Sequence, residues 1–133
     1  MILGVEHIGL MTDDTNKLAE WYRDILDLKI IYKVLEDEDN PIYFLKGKMG
    51  SIIEIFPKGN INGEESKERQ KIVHIALLVD DFQKTVNRLY EKKVQIIGDE
   101  KKIFKDGKVL FFKDPIGNML HIVYRPKPTW NLG

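Results

Sequence analysis

No cysteine occurs among the 133 residues. That absence excludes disulfides, thiolate nucleophiles and every zinc site that uses sulfur. The chain also lacks net charge, because 21 lysines and arginines balance 21 aspartates and glutamates. Nothing in that balance would draw it to nucleic acid or to an anionic membrane surface, and neither partner is expected. No apolar run approaches the roughly 20 residues needed to cross a bilayer. The first residues do not combine a basic segment with an apolar one, so no signal peptide is expected, and a cytoplasmic location is.

What is present is enough apolar sequence for a core, and a repeat. Apolar residues make up 43% and charged residues 32%, ordinary proportions for a soluble globular domain of this length. The stretch from Val109 to Val123 reads as a β-hairpin whose turn contains Pro115, Gly117 and Asn118. The same hairpin stands 67 positions earlier, at Ile42 to Phe56, without a gap. Phe111 falls on Phe44, Lys113 on Lys46, Gly117 on Gly50 and Ile122 on Ile55. His121 falls on Glu54, and His74 on His7. Each copy therefore carries two metal-type ligands 47 positions apart.

Read in order, Val5 to Met11 alternates as a strand and Thr12 to Thr15 offers helix caps. Leu18, Trp21, Tyr22 and Ile25 then mark the apolar stripe of a helix ending near Asp27. Leu28 to Leu35 is a second strand, Glu36 to Pro41 a turn, and the hairpin completes a β-α-β-β-β module over residues 1–57. Residues 58–70 are polar and charged, and read as a linker. The second module, 71–125, repeats the order. Ile72 to Val79 is its first strand, and Phe82, Val86, Leu89 and Tyr90 are the stripe of its helix. Val94 to Ile97, with Ile103 and Phe104, supplies the next strand, before a turn at Lys105 to Gly107. Residues 126–133, with Trp130, form a tail. One domain of fold class α+β is expected, two tandem modules making a curved mixed sheet around a cleft.

Strand phase places the four ligand-type residues. His7 alternates against Ile8 and Leu10, Glu54 against Ile53 and Ile55, His74 against Val73 and Ile75, and His121 against Leu120 and Ile122. Each should point away from the helix-covered face of its sheet. A carboxylate between two isoleucines is costly unless it is paired, hydrogen-bonded or bound to metal. Three imidazoles and one carboxylate without sulfur suit Ni, Co, Fe, Mn or Zn. On a six-coordinate ion they would leave two positions for a substrate that chelates through two oxygens. Trp21 and Tyr22 are expected in the core and Lys46 and Lys113 at the surface. Arg125 is expected to be exposed, within reach of an anionic substrate group.

These residues resemble the vicinal oxygen chelate superfamily, which includes glyoxalase I, methylmalonyl-CoA epimerase, extradiol dioxygenases and fosfomycin- and bleomycin-resistance proteins. The His7-Ile-Gly-Leu opening is similar to the family's first strand. Trp21-Tyr-Arg-Asp-Ile-Leu-Asp-Leu resembles its helix end, with Asp27 where glycine is usual. Phe111-Phe-Lys-Asp-Pro-Ile-Gly-Asn-Met-Leu-His resembles its Asp-Pro-x-Gly-Asn-x-x-Glu hairpin, with His121 where glutamate is usual. The resemblance implies a divalent metal held by His7, Glu54, His74 and His121. It implies a metal-dependent lyase or isomerase of the glyoxalase or epimerase type, in which Glu54 is the base and His121 a ligand or second proton shuttle. An Fe(II) extradiol-type dioxygenase and a small-molecule binding or resistance protein without chemistry are the alternatives. A homodimer is expected, with each site built within one chain or across two.

Overall fold

Two aspartates 67 positions apart start the two helices. Asp14 and Asp81 are both extended, and each accepts a hydrogen bond from the backbone N–H three residues on, Lys17 at 3.0 Å and Lys84 at 3.1 Å. A donor that the helix itself cannot satisfy is thereby paired. Helix α1 (Thr15–Leu26) and helix α2 (Phe82–Glu91) follow these caps. At the end of α1, Asp27 takes the left-handed conformation (φ 58°), and the N–H of Leu28 bonds back to the Tyr22 carbonyl at 3.3 Å. The aspartate thus adopts the backbone geometry that usually selects glycine.

The computed structural model describes residues 1, 3, 5–58 and 74–127. The chain divides into two compact units, and of the described residues those up to 58 belong to the first and residues 74–127 to the second. In the first, strands β1 (His7–Thr12), β2 (Lys29–Val34), β3 (Ile42–Lys46) and β4 (Ile52–Pro57) form a sheet of order β1-β4-β3-β2. In the second, β5 (Ile75–Leu78), β6 (Gln95–Ile103), β7 (Gly107–Lys113) and β8 (Met119–Tyr124) form a sheet of order β5-β8-β7-β6. Each sheet is mixed, its first strand parallel to its last and the other pairings antiparallel. Two β-α-β-β-β modules are what the repeat implied.

One face of each sheet lies under its helix, and most buried residues recur at the repeat offset, although Leu18 falls on the half-buried Thr85 and Phe82 on the buried Thr15. Leu18, Ala19 and Tyr22 of α1 are buried with Leu45, Ile53 and Ile55 of β3 and β4. Phe82, Val86 and Leu89 of α2 are buried with Phe112, Leu120 and Ile122 of β7 and β8. The alternation that buries Ile53, Ile55, Leu120 and Ile122 turns Glu54 and His121 the other way.

Four expectations need correction. Strand β1 starts at His7 rather than Val5, and β4 ends at Pro57, one residue beyond the hairpin read from Ile42 to Phe56. Tyr90 is 57% exposed, so the buried stripe of α2 ends at Leu89. Strand β6 continues without a break through Gly98 to Lys102. It is an edge strand, which tolerates exposed charge, and a bulge at Gly98 (φ 73°) shifts its register between Ile97 and Lys101. Residues 59–70 of the expected linker, Ile72, Val73 and the tail from Pro128 through Trp130 lie outside the described residues.

Candidate functional site

In the first unit, the parallel β1–β4 ladder sets Gly9 opposite Glu54, and the antiparallel β3–β4 ladder sets Phe44 opposite Glu54. His7, at the start of β1, closes on this group. Its Nε2 is 3.4 Å from Glu54 Oε1, and its ring meets Phe44 edge-on, 5.8 Å between centroids at 86°. On the outer side, His7 Nδ1 is 3.1 Å from Glu6 Oε1. The Glu54 side chain is largely covered, at 22% exposure, and a carboxylate so placed is costly unless a donor or an ion partners it. Gly9 leaves the room for this packing: a Cβ there would come within 2.9 Å of Phe56 Cε1 and 3.6 Å of Glu54 Oε1.

The second unit repeats the arrangement with different chemistry. His121 pairs across strands with Phe111 and with Ala76, the counterparts of Phe44 and Gly9. The His121 ring lies 4.6 Å from that of His74 and 4.7 Å from that of Phe111. His74 meets Phe111 edge-on, at 6.0 Å and 84°, nearly the geometry of His7 on Phe44. His121 is buried, whereas His74 is exposed. Burial pushes the His121 pKa below the ordinary histidine value; the neighbouring His74 and Arg125 act in the same direction, while a hydrogen bond to the Ile122 backbone opposes them. That bond joins Nδ1 to the Ile122 carbonyl at 3.2 Å. A carbonyl only accepts, so the proton of the neutral ring sits on Nδ1 and the lone pair on Nε2.

The structure thus brings His7 together with Glu54, and His74 together with His121. Among the described residues, no group of three or more histidine, cysteine, aspartate or glutamate side chains is gathered closely enough to hold an ion. Over residues 4–122 the chain matches the model of the Glyoxalase/Bleomycin resistance protein/Dioxygenase superfamily. The chain belongs to this superfamily. It is 31% identical to a metallothiol transferase FosB of Staphylococcus haemolyticus over 124 residues, 92% of this chain and 84% of that protein. It is 26% identical to the mitochondrial methylmalonyl-CoA epimerase of Mus musculus, over 84% of this chain and 65% of that one. Its fold superposes on the crystal structure of a lactoylglutathione lyase from Agrobacterium tumefaciens with a TM-score of 0.68 at 16% identity, covering 93% and 95% of the two chains.

Within this glyoxalase-superfamily chain, the donor types are those of a divalent-ion site, and one pair also has the spacing. Two donors held about 2.1 Å from one ion stand about 3.0–3.4 Å apart. The His7–Glu54 pair is at that separation. Reading the sequence missed Glu6, the two phenylalanines under the histidines, and the role of Gly9. The phenylalanines were within reach, since the repeat lays Phe111 on Phe44 in the central strands of both sheets. Arg125 also behaves differently from the exposed arginine expected. Its guanidinium stacks 4.5 Å over the Phe104 ring and donates to the Phe104 carbonyl at 3.2 Å, bracing the β6–β7 turn.

Proposed function

We propose that this chain is a divalent-metal enzyme of the lyase or isomerase type. It would move a proton on the carbon beside a carbonyl of a small substrate, with His7, Glu54, His74 and His121 as the metal-holding set. The observation that carries this reading is the repeated donor pair, set beside a phenylalanine on the helix-free face of each sheet. The donor set suits Ni, Co, Fe, Mn or Zn. Bound there, the ion would supply Lewis acidity to a substrate carbonyl.

The side chains divide the remaining work. Glu54 is the carboxylate of the set and the base of this reading, taking the proton from carbon and returning it to the same or the neighbouring atom. His7 presents Nε2 beside that carboxylate, 3.4 Å away, as its companion donor to the ion. His121 is kept neutral by burial and presents its Nε2 lone pair as a ligand or as a second proton carrier. Phe44 and Phe111 limit how far the imidazoles can swing.

The test is deuterium uptake from heavy water into α-ketoaldehyde hemithioacetals and 2-acyl thioesters by protein loaded with each metal in turn. E54Q should lower exchange by about 100-fold or more, the usual worth of a positioned base. Absence of exchange with every metal and both substrate types removes this reading.

A second reading is metal-assisted thiol transfer, and the 31% identity to a metallothiol transferase favours it. In that case the sulfur of a thiol co-substrate bonds to an electrophilic carbon as that carbon's bond to an oxygen breaks; His121 Nε2 accepts the thiol proton, and the departing oxygen, which takes the electron pair, is protonated in turn. Loss of free thiol without deuterium exchange would select this second reading.

A further inference from the structure

Glu6 stands one residue before β1, where strand alternation does not yet bind it, and its carboxylate turns back onto the neighbouring ring. His7 is consequently held between two carboxylates, with Glu6 Oε1 3.1 Å from Nδ1 and Glu54 Oε1 3.4 Å from Nε2. The first distance is that of a hydrogen bond, and the second is longer than a well-made N–H···O bond. A carboxylate accepts, so the shorter contact favours the neutral ring with its proton on Nδ1. The lone pair then lies on Nε2, the nitrogen facing Glu54. His121 reaches the same tautomer through the Ile122 carbonyl. At the repeat offset, Glu6 corresponds to Val73, so the second unit encodes no such carboxylate.

We propose that Glu6 is a positioning residue that fixes His7 in its Nδ1–H form and commits Nε2 to the donor pair with Glu54. The proposal rests on the reading of His7 as a metal ligand. A carboxylate on the far nitrogen of a ligating imidazole sets its tautomer and raises its basicity, and removing one typically weakens metal affinity by about 10–100-fold. The Glu6 side chain is 82% exposed, which places the expected effect at the lower end, about tenfold.

Long-range proton–nitrogen NMR of the metal-free protein, with the His7 ring neutral, distinguishes Nδ1–H from Nε2–H; the His7 signals are those missing from H7Q. Cobalt(II) titration calorimetry on the same proteins reads affinity. Wild type and E6Q, whose amide oxygen can still accept, should both show Nδ1–H. E6A should shift toward Nε2–H and bind cobalt(II) about tenfold more weakly. An E6A protein with unchanged tautomer and affinity overturns the proposal, as does a wild-type His7 in the Nε2–H form. A tautomer that follows Glu6 while H7Q binds cobalt(II) as tightly as wild type supports the hold of Glu6 on the ring. That outcome overturns instead the assignment of His7 as a ligand.

Discussion

At the scale of single residues, equal positions in a repeat have acquired unequal properties. His121 is buried and pushed toward neutrality, while Glu54, its counterpart, keeps a carboxylate beside a histidine. The lowered His121 pKa has a signed consequence for stability. Between that lowered value and the ordinary one near 6.5, the unfolded chain binds more protons than the folded one, so stability rises with pH through this window. It is fully present above the ordinary value and is lost as pH falls below it. Urea midpoints of chelator-treated protein between about pH 8 and about pH 5 should therefore fall toward acid, and H121N should flatten that part of the slope. An unchanged slope in H121N would mean that other groups carry it. Gly9 gives a second residue-scale expectation. The methyl of G9A meets Phe56 at 2.9 Å, and the ring must move next to Glu54. A cost of about 1–3 kcal/mol in unfolding free energy is expected. The four candidate donors could be singled out because histidine is scarce here and the repeat aligns it. Burial was not legible, since alternation gives the face of a side chain and not what covers it.

At the scale of elements, the turns and caps decide how well the two sheets hold their strands in register. Asp114 is 3% exposed and organises the β7–β8 turn. Its Oδ1 accepts from the backbone N–H groups of Ile116 (3.0 Å) and Asn118 (2.8 Å), and its Oδ2 from the Asn118 side-chain amide (2.7 Å). The turn presents β8, and with it His121. D114A removes three side-chain hydrogen bonds from a partly buried turn, so a loss of about 2–3 kcal/mol in chemical unfolding is expected. D14A and D81A remove one capping bond each and should cost about 1 kcal/mol apiece. A D114A loss no larger than that of a cap variant would show that backbone pairing carries the turn. The hairpin itself was readable from Pro115, Gly117 and Asn118, because those types select turn geometry locally. Strand β6 was only half readable. Its middle, Gly98-Asp-Glu-Lys-Lys, has no apolar alternation and is held as a strand by pairing with β7. Pairing is a tertiary fact that edge-strand composition does not encode.

At the scale of the whole molecule, the question is what completes each donor pair. Among the described residues, each sheet offers one candidate pair of donors on its helix-free face, whereas divalent ions of this class take four to six ligands. If His7, Glu54, His74 and His121 act as one set, binding is all-or-none with respect to the two pairs. Wild type should then bind one cobalt(II) per chain. H7A/E54A should abolish tight binding, and H74A/H121A should abolish it equally, because each removes half of the same coordination sphere. Independent pairs predict otherwise: up to two ions per chain in wild type, and one surviving ion in either double variant. His121 is itself buried, so circular dichroism is used to show that each double variant is folded before its ion count is read. The comparison therefore measures coordination rather than folding. Two double variants that each keep one tightly bound ion would divide the proposed centre into separate sites and remove the basis for a substrate chelated at a single ion.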